Sequence, residues 1–225
     1  MRTRMLFLAL VSLSMMVGCV WGKSETVTAP QIEQYRIVRI AVLPFAVTPP
    51  TQGQRQGYST AAPPPEAGAK LAELFYLKLN AREGLAAVPP SSVRAAMPTI
   101  PAVVADRALL RNLGARLDVG AVLEGTVETY KERQGTTFGL DRPEDAAAVG
   151  FSARLVSVKD GTVLWIGEYY ERQRPLTEDL SGFLERGARF LTVDQLADSA
   201  VNHVLKGFPL GNQLQELQGQ TGTTP

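Results

Sequence analysis

One cysteine, one histidine and two tryptophans in 225 residues leave this chain short of several kinds of chemistry. Cys19 stands alone, so no internal disulfide can form and the core has to hold by packing. His203 is the sole histidine, and without a second imidazole or a spare thiol a zinc site lacks its usual ligands. A Ser-His-Asp set would have to use His203, and no strand-bounded G-x-S-x-G accompanies it. The glycine patterns that cradle phosphates are also missing. Charge of one sign is absent: 23 basic residues face 22 acidic ones, a net charge of +1. That balance gives no electrostatic footprint for nucleic acid and no polybasic patch for anionic lipid. Long apolar runs are absent too. Met5 to Val17 falls well short of the ~20 residues that span a bilayer, and no other segment approaches that length.

That short run has informative flanks. Met1-Arg2-Thr3-Arg4 precede it and Gly18 follows, the layout of a secretory signal peptide with a basic start, an apolar centre and a small residue before the cut. Met16-Val17-Gly18-Cys19 resembles a bacterial lipobox, which implies removal of residues 1–18 and lipid, of the palmitate class, on Cys19. By the same resemblance Val20, where an Asp would favour the inner membrane, favours the outer. The mature chain, 19–225, holds 21 basic and 22 acidic residues, a net charge of −1. Any membrane attachment then comes from lipid on Cys19 rather than from surface charge.

Residues 20–34 are polar and lack sustained periodicity, which predicts a flexible tether. Ile40 to Leu43 is a continuous apolar run, as in a strand buried on both faces, and Pro44 closes it. Residues 46–65 carry five prolines and two glycines and read as a long loop, the first place to look for a partner contact. Glu66 to Arg82 reads as a helix with Leu71, Leu74, Phe75 and Leu79 on one stripe. Leu85 to Val88 is a short strand. Ser91 and Asp106 read as N-caps of two further helices, over 92–97 and 107–117. A β-meander follows: strands over 119–130 and 147–159, then a third from Val163 to about Arg174. Asp160-Gly161 signals a two-residue hairpin turn that would set Val156 against Trp165 and Leu155 against Ile166. Thr177 to Arg189 reads as a short helix or irregular. Residues 194–206 form the clearest amphipathic helix, and the tail from Gly211 reads as disordered. The expected order is β-α-β-α-α-β-β-β-α. This is an α+β domain over 35–208, with a mixed sheet, helices packed mainly on one face, and a terminal meander and helix. The flanks are a lipidated tether over 19–34 and a tail over 209–225.

Three stretches carry a family resemblance. Residues 39–45 (RIAVLPF), 113–127 (LGARLDVGAVLEGTV) and 153–165 (ARLVSVKDGTVLW) are similar to motifs of envelope proteins related to the curli-secretion lipoprotein. The N-terminal domain of TolB and the lipoprotein activators of penicillin-binding proteins resemble them more distantly. The resemblance spans about residues 36–206. It implies an α/β module facing the periplasm on an outer-membrane lipid anchor, binding another envelope protein or assembling into a ring. No pair of long alternating segments is left over for a membrane barrel.

Candidate chemistry in the domain is sparse. Glu124 and Glu128 lie four apart on one strand, with Glu132 beyond, and a carboxylate pair can serve acid–base chemistry; a solvated sheet rim is the better reading. His203 flanks the apolar stripe of the last helix and reads as a surface residue. Trp165 reads as core. Tyr169 and Tyr170 must point to opposite faces, so one of them is a candidate partner contact. The sequence therefore predicts a non-enzyme with no cofactor, no metal, no nucleic acid and no small-molecule substrate. Its partners are the membrane, through Cys19, and an envelope protein or further copies of itself. A secretion-apparatus ring subunit is the alternative, and a hydrolase using acidic residues the third reading.

Overall fold

The computed structural model describes residues 23–48, 62–96, 106–134, 146–173 and 191–212. The stretches expected as the signal peptide, the lipidation site at Cys19, most of the proline-rich loop and the segment Thr177–Arg189 lie outside the described residues. Strand β1 (Lys23–Thr28) leads to a 3-10 turn over Ile32–Tyr35. Strands β2 (Arg39–Val42) and β3 (Ala46–Val47) come next, then helix α1 (Ala67–Asn80) and β4 (Ala86–Val88). Two shorter helices, α2 (Pro90–Ala96) and α3 (Arg107–Leu117), precede the meander β5 (Ala121–Lys131), β6 (Ala148–Ser157) and β7 (Val163–Arg172). Helix α4 (Val193–Leu205) follows.

The architecture is α+β, built on one mixed sheet in the order β1-β7-β6-β5-β2-β4. β2 runs parallel to both β4 and β5, whereas β5, β6, β7 and β1 pair antiparallel. β3 continues the line of β2 along β5 after a break. The break sits at Pro44, which has no N–H for the ladder.

Alternation along β2 divides the core. Ile40 and Val42 face α1 and α4 in the larger apolar cluster, while Ala41 and Leu43 face Val93 of α2 and Leu110 and Leu113 of α3. The two longer helices thus share one face, and the two shorter ones cover the corner of the other. A file of rings crosses the larger cluster. Phe45 and Phe75 lie 5.2 Å apart between centroids, Phe75 and Phe151 5.6 Å in a T arrangement, and Phe151 and Tyr169 6.0 Å. Each such pair contributes about 0.5–1.5 kcal/mol beyond the area it buries. Phe45 fits because Gly68 and Gly125 lack side chains. A Cβ on Gly125 would meet its ring at 2.3 Å, and one on Gly68 would meet its carbonyl oxygen.

Three expectations change. Residues 23–28 are not a tether: they pair with β7 over six residues, Lys23 opposite Tyr170 and Thr28 opposite Trp165. None of Ser24 to Thr28 is buried, so backbone pairing with β7 rather than an apolar run defines this edge strand. The β6–β7 register is shifted by one. Leu155 faces Trp165 and Arg154 faces Ile166, with a bulge between Leu155 and Val156. The turn is wider than two residues, for Ser157 donates to Thr162 at 2.9 Å, and Gly161 (φ +76) donates back to Ser157. That register puts Leu155 and Trp165 together in the core. The start of the tail is held as well: Asn212 bridges to Glu83, and Arg82 binds the carbonyls of Leu210 and Gly211.

Candidate interaction face

Past the corner covered by α2 and α3, the sheet has a face turned away from α1 and α4. Strand pairing lays its residues in rows. One row runs Glu124, Arg154, Ile166, Val27 across β5, β6, β7 and β1. The next runs Thr126, Ser152, Glu168, Glu25. Above it Gly150 stands opposite Tyr170, and Tyr170 opposite Lys23.

The first row grades from polar to apolar. The Glu124 side chain is 1% exposed, and its Oε1 accepts from Arg154 Nε at 2.5 Å; the Arg154 side chain is 42% exposed. The strong contact is the charge-assisted bond to a buried carboxylate, and the outer part of the guanidinium reaches solvent. Val27 and Ile166 end the row as exposed apolar residues, at 56% and 37%. In the second row Glu25 and Glu168 stand directly opposite each other, both exposed. Like charges in that cross-strand position are destabilising. The face therefore combines an apolar pair with a repelling acidic pair at its edge.

The tyrosines separate as alternation requires. Tyr169 is buried, stacked on Phe151, and its hydroxyl donates to Glu171 Oε2 at 2.5 Å. Burial, then the Glu171 carboxylate, push its phenol well above the usual range. Tyr170 is half-buried on the open face, packed over Gly150, where a Cβ would meet its ring at 2.9 Å. Trp165 is core, its Nε1 donating to Gly207 O at 3.0 Å.

The carboxylates expected to share a rim do not. A bulge between Val127 and Thr129 interrupts the alternation between Glu124 and Glu128. Glu124 is buried rather than solvated, and Glu132 accepts from the Val193 backbone N–H at 3.2 Å at the start of α4. His203 is exposed, its ring 5.8 Å from that of Tyr169. Among the described residues no three His, Cys, Asp or Glu side chains converge to hold a metal, and no helix is long and apolar enough to cross a membrane.

A polar cluster ties the helices to the same end of the sheet. Asp194, in the first turn of α4, accepts from the Tyr130 hydroxyl and from Lys70 Nζ of α1 at 2.9 Å. The Tyr130 hydrogen bond, then Lys70, hold its carboxyl below the usual range, and burial with Asp194 raises the Tyr130 phenol. At the other end of α4, Arg82 donates to the carbonyls of Leu205 at 3.2 Å, Phe208 at 3.1 Å, Leu210 at 2.8 Å and Gly211 at 2.9 Å. Sequence reasoning missed Arg82, which reads as an ordinary residue at a helix end.

No family profile and no curated protein matches the chain. Solved structures do. The PelC dodecamer from Paraburkholderia phytofirmans is 16% identical, with a TM-score of 0.50 over 85% of this chain and 99% of that one. Lipoprotein GNA1162 from Neisseria meningitidis is 21% identical, with a TM-score of 0.39 over 76% and 99%. LpoB from E. coli is 11% identical, with a TM-score of 0.36 over 64% and 65%. The first likeness is one of fold. It singles out neither the curli-secretion nor the TolB branch that the motifs resemble.

Proposed function

We infer that this chain is a non-enzymatic, lipid-anchored protein of the cell envelope. Its α+β domain faces the periplasm from the outer membrane and binds a protein partner through the open sheet face. The observation that carries the reading is the pairing of exposed Val27 and Ile166 beside the opposed Glu25 and Glu168. A partner surface with an apolar centre and basic rim would cover the first pair and relieve the repulsion of the second. The anchor reading rests on Met16-Val17-Gly18-Cys19, with residues 1–18 removed and residues 19–22 leading to β1.

Two measurements test it. Cys19→Ser should abolish fatty-acid labelling and release the protein from membranes; unchanged labelling sinks the anchor. The double variant Val27→Thr/Ile166→Thr, which removes the apolar pair without adding charge to the strands, should lose most of the envelope cross-links that wild type forms while keeping its thermal midpoint within a few degrees. Cross-links retained in full would remove the face from the reading. A second reading, a ring-forming subunit of an export apparatus, draws on the likeness to the PelC dodecamer. Native mass spectrometry of the lipidated protein separates the two: monomers alone exclude the ring.

A further inference from the structure

The docking of β1 has a consequence for orientation, and it rests on the lipid-anchor reading of Cys19. Only residues 20–22 separate Cys19 from Lys23, where pairing with β7 begins. Four Cα–Cα steps span at most about 14 Å even when fully extended. A free tether over 20–34 would have reached roughly 50 Å. We propose that the end of the sheet marked by Lys23, Tyr170 and Arg172 is held against the bilayer surface, with lipid headgroups as its partner, so that the domain has one fixed orientation on the membrane.

Three features of this end bear on the fit. First, β1 is tied down along its length. All six of its residues pair with β7, and Thr26 packs so closely on Gly207 that a Cβ there would meet its Oγ1 at 2.4 Å. Second, the acidic groups at this end itself have partners within the protein, whereas Glu25 and Glu168, one row further from it, are exposed. Glu171 accepts from Tyr169, Glu132 from the Val193 N–H, and Asp194 from Tyr130 and Lys70. Third, Arg172, at the last position of β7, has no acidic partner among the described residues. A guanidinium suits a headgroup phosphate, which it can bind through two parallel hydrogen bonds. The opposite end, with the Asp160–Gly161 turn and the exposed Lys159, then points away from the membrane.

The test uses the full lipidated chain in vesicles of phosphatidylethanolamine and phosphatidylglycerol carrying a headgroup acceptor dye. Lipidated Cys19 has no free thiol, so Glu25→Cys or Lys159→Cys supplies the only labelling site. Lys159 lies about 20 Å further along the sheet from Glu25. Energy transfer to the headgroups should be several-fold more efficient from position 25 than from 159. Arg172→Glu should reduce the transfer from 25, and ten Gly/Ser residues inserted after Gly22 should erase the difference. Equal or reversed efficiencies without the insertion, or a difference that survives it, overturn the proposal. The mass of the Cys19 peptide from the same sample distinguishes the failures. An unmodified peptide removes the anchor and the orientation together, whereas a lipidated peptide with equal efficiencies removes the orientation alone.

Discussion

Arg82 does the most for its size of any side chain described above. It closes α1 and satisfies four carbonyls at and beyond the C-terminal end of α4, while the Phe208 ring lies 5.6 Å from its guanidinium. The last carbonyls of a helix have no partner within it, and a cation there also meets the negative end of the helix dipole. Desolvation lowers its pKa, the expected direction for a buried cation, and the carbonyls compensate that cost. Arg82→Ala should destabilise the domain by about 2–4 kcal/mol, because carbonyls are left unsatisfied as well as bonds lost. For a domain of this size the melting midpoint should fall by roughly 5–15 °C. Arg82→Lys keeps the charge without the fork and should recover only part of that loss. A calorimetric scan showing wild-type melting for the alanine variant would refute the clamp.

Legibility from sequence followed the element's environment. Strand β2 announced itself through Ile40–Leu43 because both its faces are buried, and α4 through a stripe that packs on the sheet. Asp106 was readable as a cap from residue type alone, and its side chain accepts from Ala108 N at 2.8 Å. Strand β1 was not readable, since Lys-Ser-Glu-Thr-Val-Thr has the composition of a linker and its pairing is supplied by a distant strand. The open face was legible only in part. Alternation marks one of Tyr169 and Tyr170 as a contact without saying which, and Glu25, Val27, Ile166 and Glu168 become neighbours only through the β1–β7 register. Likewise the bulge that parts Glu124 from Glu128 depends on partner strands rather than on local sequence. The edge strand itself makes a prediction. A chain beginning at Tyr35, the expected domain start, would leave the β7 edge unpaired. It should melt lower than one beginning at Lys23 and self-associate with rising concentration. Equal melting and a monomeric state at all concentrations would show β1 to be dispensable.

Across the whole molecule, acid should loosen what Asp194 and Asp160 join. Asp194 links β5, α1 and α4, while Asp160 holds the β6–β7 turn by accepting from Thr162 N and ties it to Tyr35. The Thr162 backbone hydrogen bond leads the causes that lower the Asp160 carboxyl to about 2, and Asp194 is lowered by Tyr130 and then Lys70. A carboxyl with a depressed folded-state pKa adds stability above its unfolded value, near 4, and loses it as pH falls through the folded value. Urea midpoints should therefore decline between about pH 5 and pH 2. The double variant Asp160→Asn/Asp194→Asn, less stable at pH 7, should decline less steeply over that window. Parallel curves for the two proteins would show that neither carboxyl is held low.

The β1–β7 pairing also sets an order of events in time. Residues 23–28 are made early, yet their partners, 165–170, come near the end of the chain. Until β7 emerges, the strand closest to Cys19 has nothing to pair with, and no partial chain can complete the sheet. Closing so long a loop is slow compared with forming a local helix or hairpin. With Cys19 lipidated as proposed, the strand next to the anchor cannot be locked into the sheet until β7 has been made.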